Sequence, residues 1–343
     1  MIERCMGAVA VAAGTVIALA PAANAAVNTW AIGNNAGDAS KAQQLFALTV
    51  AVDFNAGTGS VLLNSVTPVI DQNNQPTTTN DLLNPAAFQT WNPGLGYVNG
   101  RIYASNQFNS ATPNLLTGEI DPGTGLYRGI NDQAATDPNP FPPPIGPVTS
   151  NNPRSNGLVA SFAGNPPGQG EQNLVVGITQ DAIQYGFNAD NENPIGNIGP
   201  APLGFDPVQD VEGLGTDAAK DIAYVIDDRT NAPPVLLEAA DPSGGGLNIT
   251  ETPLPFLDAQ DLDNFGLTYS IDENAIIVSA TSSDALGLPL TEFYAINPAD
   301  PTQAFSIGTI TGVQIGGLAA IPAPGTLTVA TIAGAAALRR RRP

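Results

Sequence analysis

Short apolar runs separated by turn chemistry set the rhythm of this chain. LFALTVAVDF (45–54), YVNGRIYAS (97–105), AYVIDD (223–228), LTYSIDENAIIVSAT (267–281) and VQIGGLAAI (313–321) are rich in Val, Ile, Leu, Thr and aromatic residues. Runs of this length and composition, bounded by Gly, Pro, Asn and Asp, predict short strands joined by turns. In YVNGRIYAS the Asn99-Gly100 pair stands between two apolar stretches, a strong hairpin signal because both residues tolerate positive φ. Corresponding tight turns are predicted at Asp217 to Asp221 and at Asp272-Glu273-Asn274.

A second family of turns comes about 20 residues after the first. These are Asp121-Pro122-Gly123-Thr124-Gly125, Asp241-Pro242-Ser243-Gly244-Gly245 and Asn297-Pro298-Ala299-Asp300-Pro301, with an earlier partner at Asn55-Ala56-Gly57-Thr58-Gly59. Asp or Asn followed by Pro sets up a type I turn, and a later glycine supplies the left-handed residue. Each unit therefore reads as two hairpins, or four strands.

The units repeat. A Gly-Leu pair recurs at Gly94-Leu95, Gly157-Leu158, Gly213-Leu214, Gly266-Leu267 and Gly317-Leu318, at intervals of 51 to 63 residues. Periods in this range signal blades, solenoid turns or arrays, and four strands in roughly 50 residues make one blade of a β-propeller. Counting unit starts at 33, 94, 157, 213 and 266 gives five blades, with six as the other count. The final run, Val313 to Ile321, supplies a single strand and is expected to pair beside the first blade, closing the ring and hiding its edges. A β-sandwich or β-helix would use the same glycine-rich turns. The repeat unit is similar to propellers of other exported bacterial proteins. Asp71 to Trp91, Ile130 to Asn156 and Asn188 to Asp210 resist the repeat and read as insertions over one face, because proline removes ladder donors.

Composition agrees with an all-β chain. Gly and Pro number 36 and 31 in 343 residues, and only 12% are charged. The chain has no histidine, and its one cysteine, Cys5, falls in the first segment. Serine–histidine hydrolysis, a cysteine nucleophile, disulfides and His- or Cys-bound metals are thereby excluded from the body. Between Ala26 and Ile321 only Lys41, Arg101, Arg128, Arg154, Lys220 and Arg229 are basic, while every acidic residue except Glu3 lies there. This span is more acidic than the whole chain at −20 and would repel nucleic acid. Cations, neutral glycans and basic surfaces are the partners such a surface suits.

Both ends read as processing segments. Residues 1–25 have an apolar stretch from Ala8 to Ala20, Pro21, and then Ala23-Asn24-Ala25, the small-residue pattern of a signal peptide cut after Ala25 by signal peptidase. Residues 26–321 form the propeller-like body. In the tail, 322–343, the apolar stretch from Thr326 to Leu338 would span about 20 Å as a helix, against a hydrocarbon core of about 30 Å. Arg339, Arg340, Arg341 and Arg342 would hold its end on the cytoplasmic side. Pro322-Ala323-Pro324-Gly325, the apolar segment and the arginine cluster together resemble the PEP-CTERM sorting signal of Gram-negative bacteria, with Ala323 in place of the usual glutamate. The resemblance implies an exosortase-like sorting enzyme as partner, transient inner-membrane association, and delivery to the cell surface or extracellular matrix.

Candidate chemistry rests on carboxylates. DAQDLDNFG brings Asp258, Asp261, Asp263 and Asn264 into a short stretch, the ligand type that Ca²⁺ prefers, without the EF-hand order. Asp190 and Glu192 in NADNEN are a weaker example. No other cofactor is indicated, and no catalytic residue stands out. The expected function is therefore a non-enzymatic exported propeller, structural, adhesive or ligand-binding, with a glycan or matrix polymer as its ligand. The alternatives are a carboxylate-dependent glycan hydrolase or lyase on the same scaffold, which needs two carboxylates about 5–10 Å apart, and a Ca²⁺-stabilised adhesion module.

Overall fold

The computed structural model describes residues 27–35, 43–70, 94–98, 100–108, 114–129, 158–162, 174–178, 184–188, 194–199, 211–217, 220, 222–228, 232–240, 248–258, 263–283 and 288–321. The first strands are β1 (Thr29–Asn35), β2 (Gln43–Asp53) and β3 (Thr58–Pro68). Four more are β4 (Gly94–Val98), β5 (Arg101–Phe108), β6 (Asn114–Ile120) and β7 (Tyr127–Gly129). The next four are β8 (Leu158–Phe162), β9 (Leu174–Ile178), β10 (Gln184–Asn188) and β11 (Pro194–Gly199). Then come β12 (Val211–Asp217), β13 (Ile222–Asp227), β14 (Val235–Ala240) and β15 (Asn248–Pro253). One helical turn, α1 (Pro255–Asp258), leads into β16 (Asp263–Ser270), β17 (Ala275–Ser283), β18 (Pro289–Asn297), β19 (Asp300–Thr311) and β20 (Val313–Ala320).

These strands make five antiparallel four-stranded sheets among the described residues, ordered β20-β1-β2-β3, β4-β5-β6-β7, β8-β9-β10-β11, β12-β13-β14-β15 and β16-β17-β18-β19. The first strand of each sheet touches the first strand of the next: β20 meets β4, β4 meets β8, β8 meets β12, β12 meets β16, and β16 returns to β20. That closed circle is a β-propeller with its axis along the five inner strands. We number the blades one to five from the sheet holding β1. Closure is as the sequence predicts: β20 pairs with β1 from Thr29↔Ala320 to Asn35↔Val313.

Four of the Gly-Leu pairs fall on inner strands, at the strand start or within it, and Leu158 of the remaining pair opens the inner strand β8. Packing around the axis explains the glycine. A Cβ on Gly266 would lie 2.7 Å from the Gly316 carbonyl oxygen, and one on Gly215 would lie 2.8 Å from the Tyr269 nitrogen. Neighbouring inner strands thus approach backbone to backbone, where a side chain has no room. Gly213 also adopts φ +68 where β12 slips register against β13, so its left-handed conformation forms the bulge.

Two sequence expectations change. The segment around TWAIGN is the second strand of blade one, because the innermost position is taken by β20. The stretch 188–210 is not solely an insertion, since β11 lies within it as the outer strand of blade three.

Antiparallel order fixes two faces. Both families of predicted tight turns, first-to-second strand and third-to-fourth strand, lie on one face. The connections from blade to blade, including 71–93, 130–157 and 200–210, join strand ends at the opposite face. The core lies between blades. Phe265, Leu267, Ile276, Val278 and Tyr294 of blade five pack with Tyr224, Ile226 and Leu236 of blade four. Phe46, Leu48 and Val50 of blade one pack with Ile277, Phe293 and Ala295 on the other side of blade five.

Candidate functional site

On the tight-turn face, where blades four and five meet, two carboxylates, one ammonium and two phenols converge. Asp217 ends β12, and Lys220 lies in the turn beyond it. The turn is closed by the Lys220 amide, which donates to the Asp217 carbonyl and to its Oδ1, both at 3.2 Å. The same geometry turns the lysine side chain back, placing Nζ 2.9 Å from Asp217 Oδ2. The Asp217 side chain is only 3% exposed while that of Lys220 is 55% exposed, so the ion pair runs from the interior to solvent. Blade five contributes Tyr269, whose ring centroid lies 5.8 Å from Lys220 Nζ and whose hydroxyl donates to Asn274 Oδ1 at 2.9 Å. Asn274 holds φ +46 in the turn predicted at Asp272-Glu273-Asn274.

Register assembles the remainder. Gly215, Tyr224 and Glu238 are directly opposed on β12, β13 and β14, and opposed residues share a face of the sheet. That face looks toward blade five, and the bare Gly215 lets the backbone of β16 come close enough to seat Tyr269. The Tyr224 and Tyr269 rings then lie 5.8 Å apart at 31°.

The groups perturb one another. Burial raises the Glu238 carboxyl above its usual range, with Lys220 pulling it back down. Lys220 is raised chiefly by its hydrogen bond to Asp217. Tyr269 is raised by burial and then by the Asp217 charge, and Tyr224 by burial and then by Glu238. A carboxyl raised by burial thus shares one face with an ion-paired carboxylate. Two carboxyl groups in unlike environments are the arrangement from which acid–base roles are divided.

The opposite face holds two further buried carboxylates. Glu212, near the start of β12, is 5% exposed, and its Oε2 accepts from the Phe265 amide at 2.5 Å. Asp227 is fully buried at the end of β13. They do not form a pair. Glu212 opposes Ile226, the neighbour of Asp227, so the two carboxylates project from opposite sides of the sheet. Glu212 instead satisfies an amide on the free inner edge of β16.

The residues singled out from the sequence lie largely outside the described residues. Asp258 closes α1 and Asp263 opens β16, while Asp261, Asp190 and Glu192 fall beyond what is described. Among the described residues no group of three or more acidic side chains is placed to hold a metal ion. Ala23 and Ala25, Pro322 to Gly325 and Arg339 to Arg342 lie outside the described residues, and among those described no helix is long and apolar enough to cross a membrane. The cluster at Glu238 carries no sequence motif. Asp217 and Asn274 mark turns there, but Tyr269 reaches Lys220 only because blades four and five are neighbours in the ring.

No protein-family model matches the chain, and no curated protein matches it. Solved structures do. An endo-arabinase from Bacteroides thetaiotaomicron is 11% identical, covering 73% of this chain and 88% of its own, at a TM-score of 0.36. A periplasmic gluconolactonase from Pseudomonas aeruginosa is 12% identical over 87% and 86%, at 0.38. A thermostable family-43 glycoside hydrolase is 10% identical over 83% and 93%, at 0.39. At these identities the likeness is one of fold. The similar structures are named as enzymes, and the expectation of a non-enzymatic adhesive or structural propeller is corrected accordingly.

Proposed function

We infer that the chain is a carboxylate-dependent glycan hydrolase. The observation that carries this reading is the placement of Glu238, its carboxyl raised by burial, and the ion-paired Asp217 on one sheet face, beside Lys220 and Tyr269. In this reading Glu238 gives its proton to the glycosidic oxygen as the bond to the anomeric carbon breaks. Asp217 is the second carboxylate of the pair, which activates water or attacks the anomeric carbon. Lys220, ion-paired with Asp217 and exposed, stands between that carboxylate and solvent. With no histidine in the chain, carboxyl groups are the available acid and base near neutral pH. A neutral glycan suits the site better than a uronate polymer, because a chain of net charge −20 repels polyanions. That preference favours hydrolysis over elimination, which needs a carboxylate on the sugar to make the departing proton acidic.

The export and sorting expectations stand beside this reading as proposals. Ala23-Asn24-Ala25 and the Pro322–Gly325 and Arg339–Arg342 signals would bring the enzyme to the cell surface or matrix, where insoluble glycan is found. Ca²⁺ at Asp258, Asp261 and Asp263 would brace the link between blades four and five.

The test is reducing-sugar release from arabinan, xylan and mixed-linkage glucan by the purified chain. Glu238→Gln and Asp217→Asn are expected to lower the rate at least ~100-fold. Product from none of these glycans, or full activity in Glu238→Gln, would sink the reading.

A further inference from the structure

Three turns on the tight-turn face set four residues between bonded strand ends: 54–57 between Asp53 and Thr58, 122–125 between Asp121 and Leu126, and 271–274 between Ser270 and Ala275. In each the fourth residue is left-handed, at φ +62 for Gly57, +75 for Gly125 and +46 for Asn274. Glycine takes that conformation without steric cost, and a residue with a Cβ does not. Asn274 is the one non-glycine residue with positive φ among the described residues, so the third turn keeps a side chain where its counterparts dispense with one.

That side chain has a partner at the candidate site. Its Oδ1 accepts from the Tyr269 hydroxyl at 2.9 Å. The turn is also fastened on its far side, because Glu273 Oε2 accepts from the Val52 amide of blade one at 3.0 Å. Within the turn the Asn274 amide donates to the Ile271 carbonyl at 3.3 Å, and the Glu273 amide to Ser270 Oγ at 3.4 Å. Asn274 is therefore mounted on a turn tied to both neighbouring elements.

Tyr269 is 7% exposed, and both Asp217 and Lys220 act on its titration. A phenol has a single proton to donate and lone pairs with which to accept. With that proton directed at Asn274, the hydroxyl does not donate it to Asp217, and its oxygen is left to accept from Lys220. We propose that Asn274 is a positioning residue of this cluster: it draws the Tyr269 proton to itself, so that the phenol oxygen supports Lys220 and Asp217 keeps Lys220 as its charge partner. Lys220 in turn acts on Glu238, so the setting reaches both carboxyl groups. The consequence for catalysis rests on the hydrolase reading; the hydrogen-bond arrangement does not.

The experiment follows the titration of Lys220 by NMR in protein carrying ¹³C-labelled lysine. The chain has two lysines, and a Lys41→Arg background leaves the Lys220 signal by itself. Asn274→Gly suits the left-handed position and is expected to fold as the native chain does. Its Tyr269 hydroxyl turns to Asp217 and competes with Lys220, which should then titrate at lower pH. Tyr269→Phe should also lower the titration, by removing the oxygen that supports the ammonium. In that Tyr269→Phe background Asn274→Gly should add no further shift, the non-additivity expected of two groups acting through one hydrogen bond. A native titration in Asn274→Gly overturns the proposal, as does an equal shift with and without the hydroxyl. Failure of Asn274→Gly to fold overturns it too, because the side chain would then be holding the turn and not the phenol. On whichever of arabinan, xylan and mixed-linkage glucan is cleaved, Asn274→Gly should lower kcat ~10-fold with KM unchanged. A shifted titration with native kcat removes the catalytic role. If no glycan is cleaved, the hydrolase reading falls and the titration still decides the arrangement.

Discussion

The closing sheet has two edges that face opposite fates. Its inner edge, β20, is buried against the axis and the side of blade five. Its outer edge, β3, stands in water. Blade five treats the backbone of β20 as a missing strand would. Thr291 Oγ1 donates to the Val313 carbonyl at 2.8 Å and accepts from the Ile315 amide at 3.1 Å. Ser279 Oγ donates to the Ile315 carbonyl at 3.1 Å, and Thr268 Oγ1 accepts from the Ala320 amide at 3.0 Å. Blade four does the same for β16 through Glu212 and the Phe265 amide. A propeller therefore removes its inner edges with side-chain hydroxyls and carboxylates of the next blade. Its outer edges depend on their own composition, and the sequence of β3 carries no charge.

The contrast is undone most severely at Gly33, in the strand that receives β20. A Cβ there would lie 2.0 Å from the Gln314 carbonyl oxygen, a contact between two backbones with no side chain to move aside. Gly33→Val is expected to cost about 3 kcal/mol or more and to cancel ring closure, read as loss of a cooperative melting transition. Next come the inner-edge donors and acceptors. Thr291→Val orphans two buried backbone groups and Glu212→Ala orphans one amide. Each should lower stability by about 2 kcal/mol in urea unfolding, whereas Thr291→Ser should restore most of the loss. If Thr291→Val is neutral, the claim that hydroxyls replace a strand at this edge fails.

Smaller effects come from the cluster between blades four and five. Burial raises Glu238, so the folded protein binds that proton more tightly than the unfolded chain does. Its contribution is therefore favourable below the ordinary value of 4.5 and declines as pH rises through the shifted value. Glu238→Gln should flatten that slope and leave the protein slightly more stable at neutral pH, measured by melting across the acid-to-neutral range. Lys220 and Tyr269 act in the alkaline range. Both favour the protonated form in the fold, so their stabilisation is present at neutral pH and is lost as pH climbs past the ordinary values of 10.5 and 10.0. Lys220→Met should blunt the alkaline loss. Last, Leu62→Thr on β3 should leave the melting temperature unchanged, since that side chain is 49% exposed.

How much of this is legible in the sequence depends on the range over which each signal acts. Asn99-Gly100, Asp121-Pro122-Gly123 and Asn297-Pro298 specify turns through their own φ preferences, and the hairpins fall where those residues stand. The Gly-Leu period is legible because crowding around an axis leaves no room for a side chain, as at Gly213 and Gly266. Val313 to Ile321 can be assigned to closure because a single strand cannot be stable alone. The Glu238 cluster obeys no such local rule. Glu238, Lys220 and Tyr269 come from three strands or turns of two blades, and burial rather than residue type shifts Glu238. The stretch 188–210 misleads because its proline and glycine content conceals β11, an outer strand where a leading proline costs no ladder donor.

Because the Ile321 amide donates to the Asn28 carbonyl at 2.7 Å, the two extremities of the folded body leave side by side from one sheet. A load applied between them would open the β1–β20 ladder bond by bond from that end, as a zipper opens, instead of straining all its rungs together. A tether on either extremity alone would spare the ladder entirely. Joining the extremities covalently and cutting the chain in another turn should yield a circular permutant whose ring no longer has a mechanical weak point there.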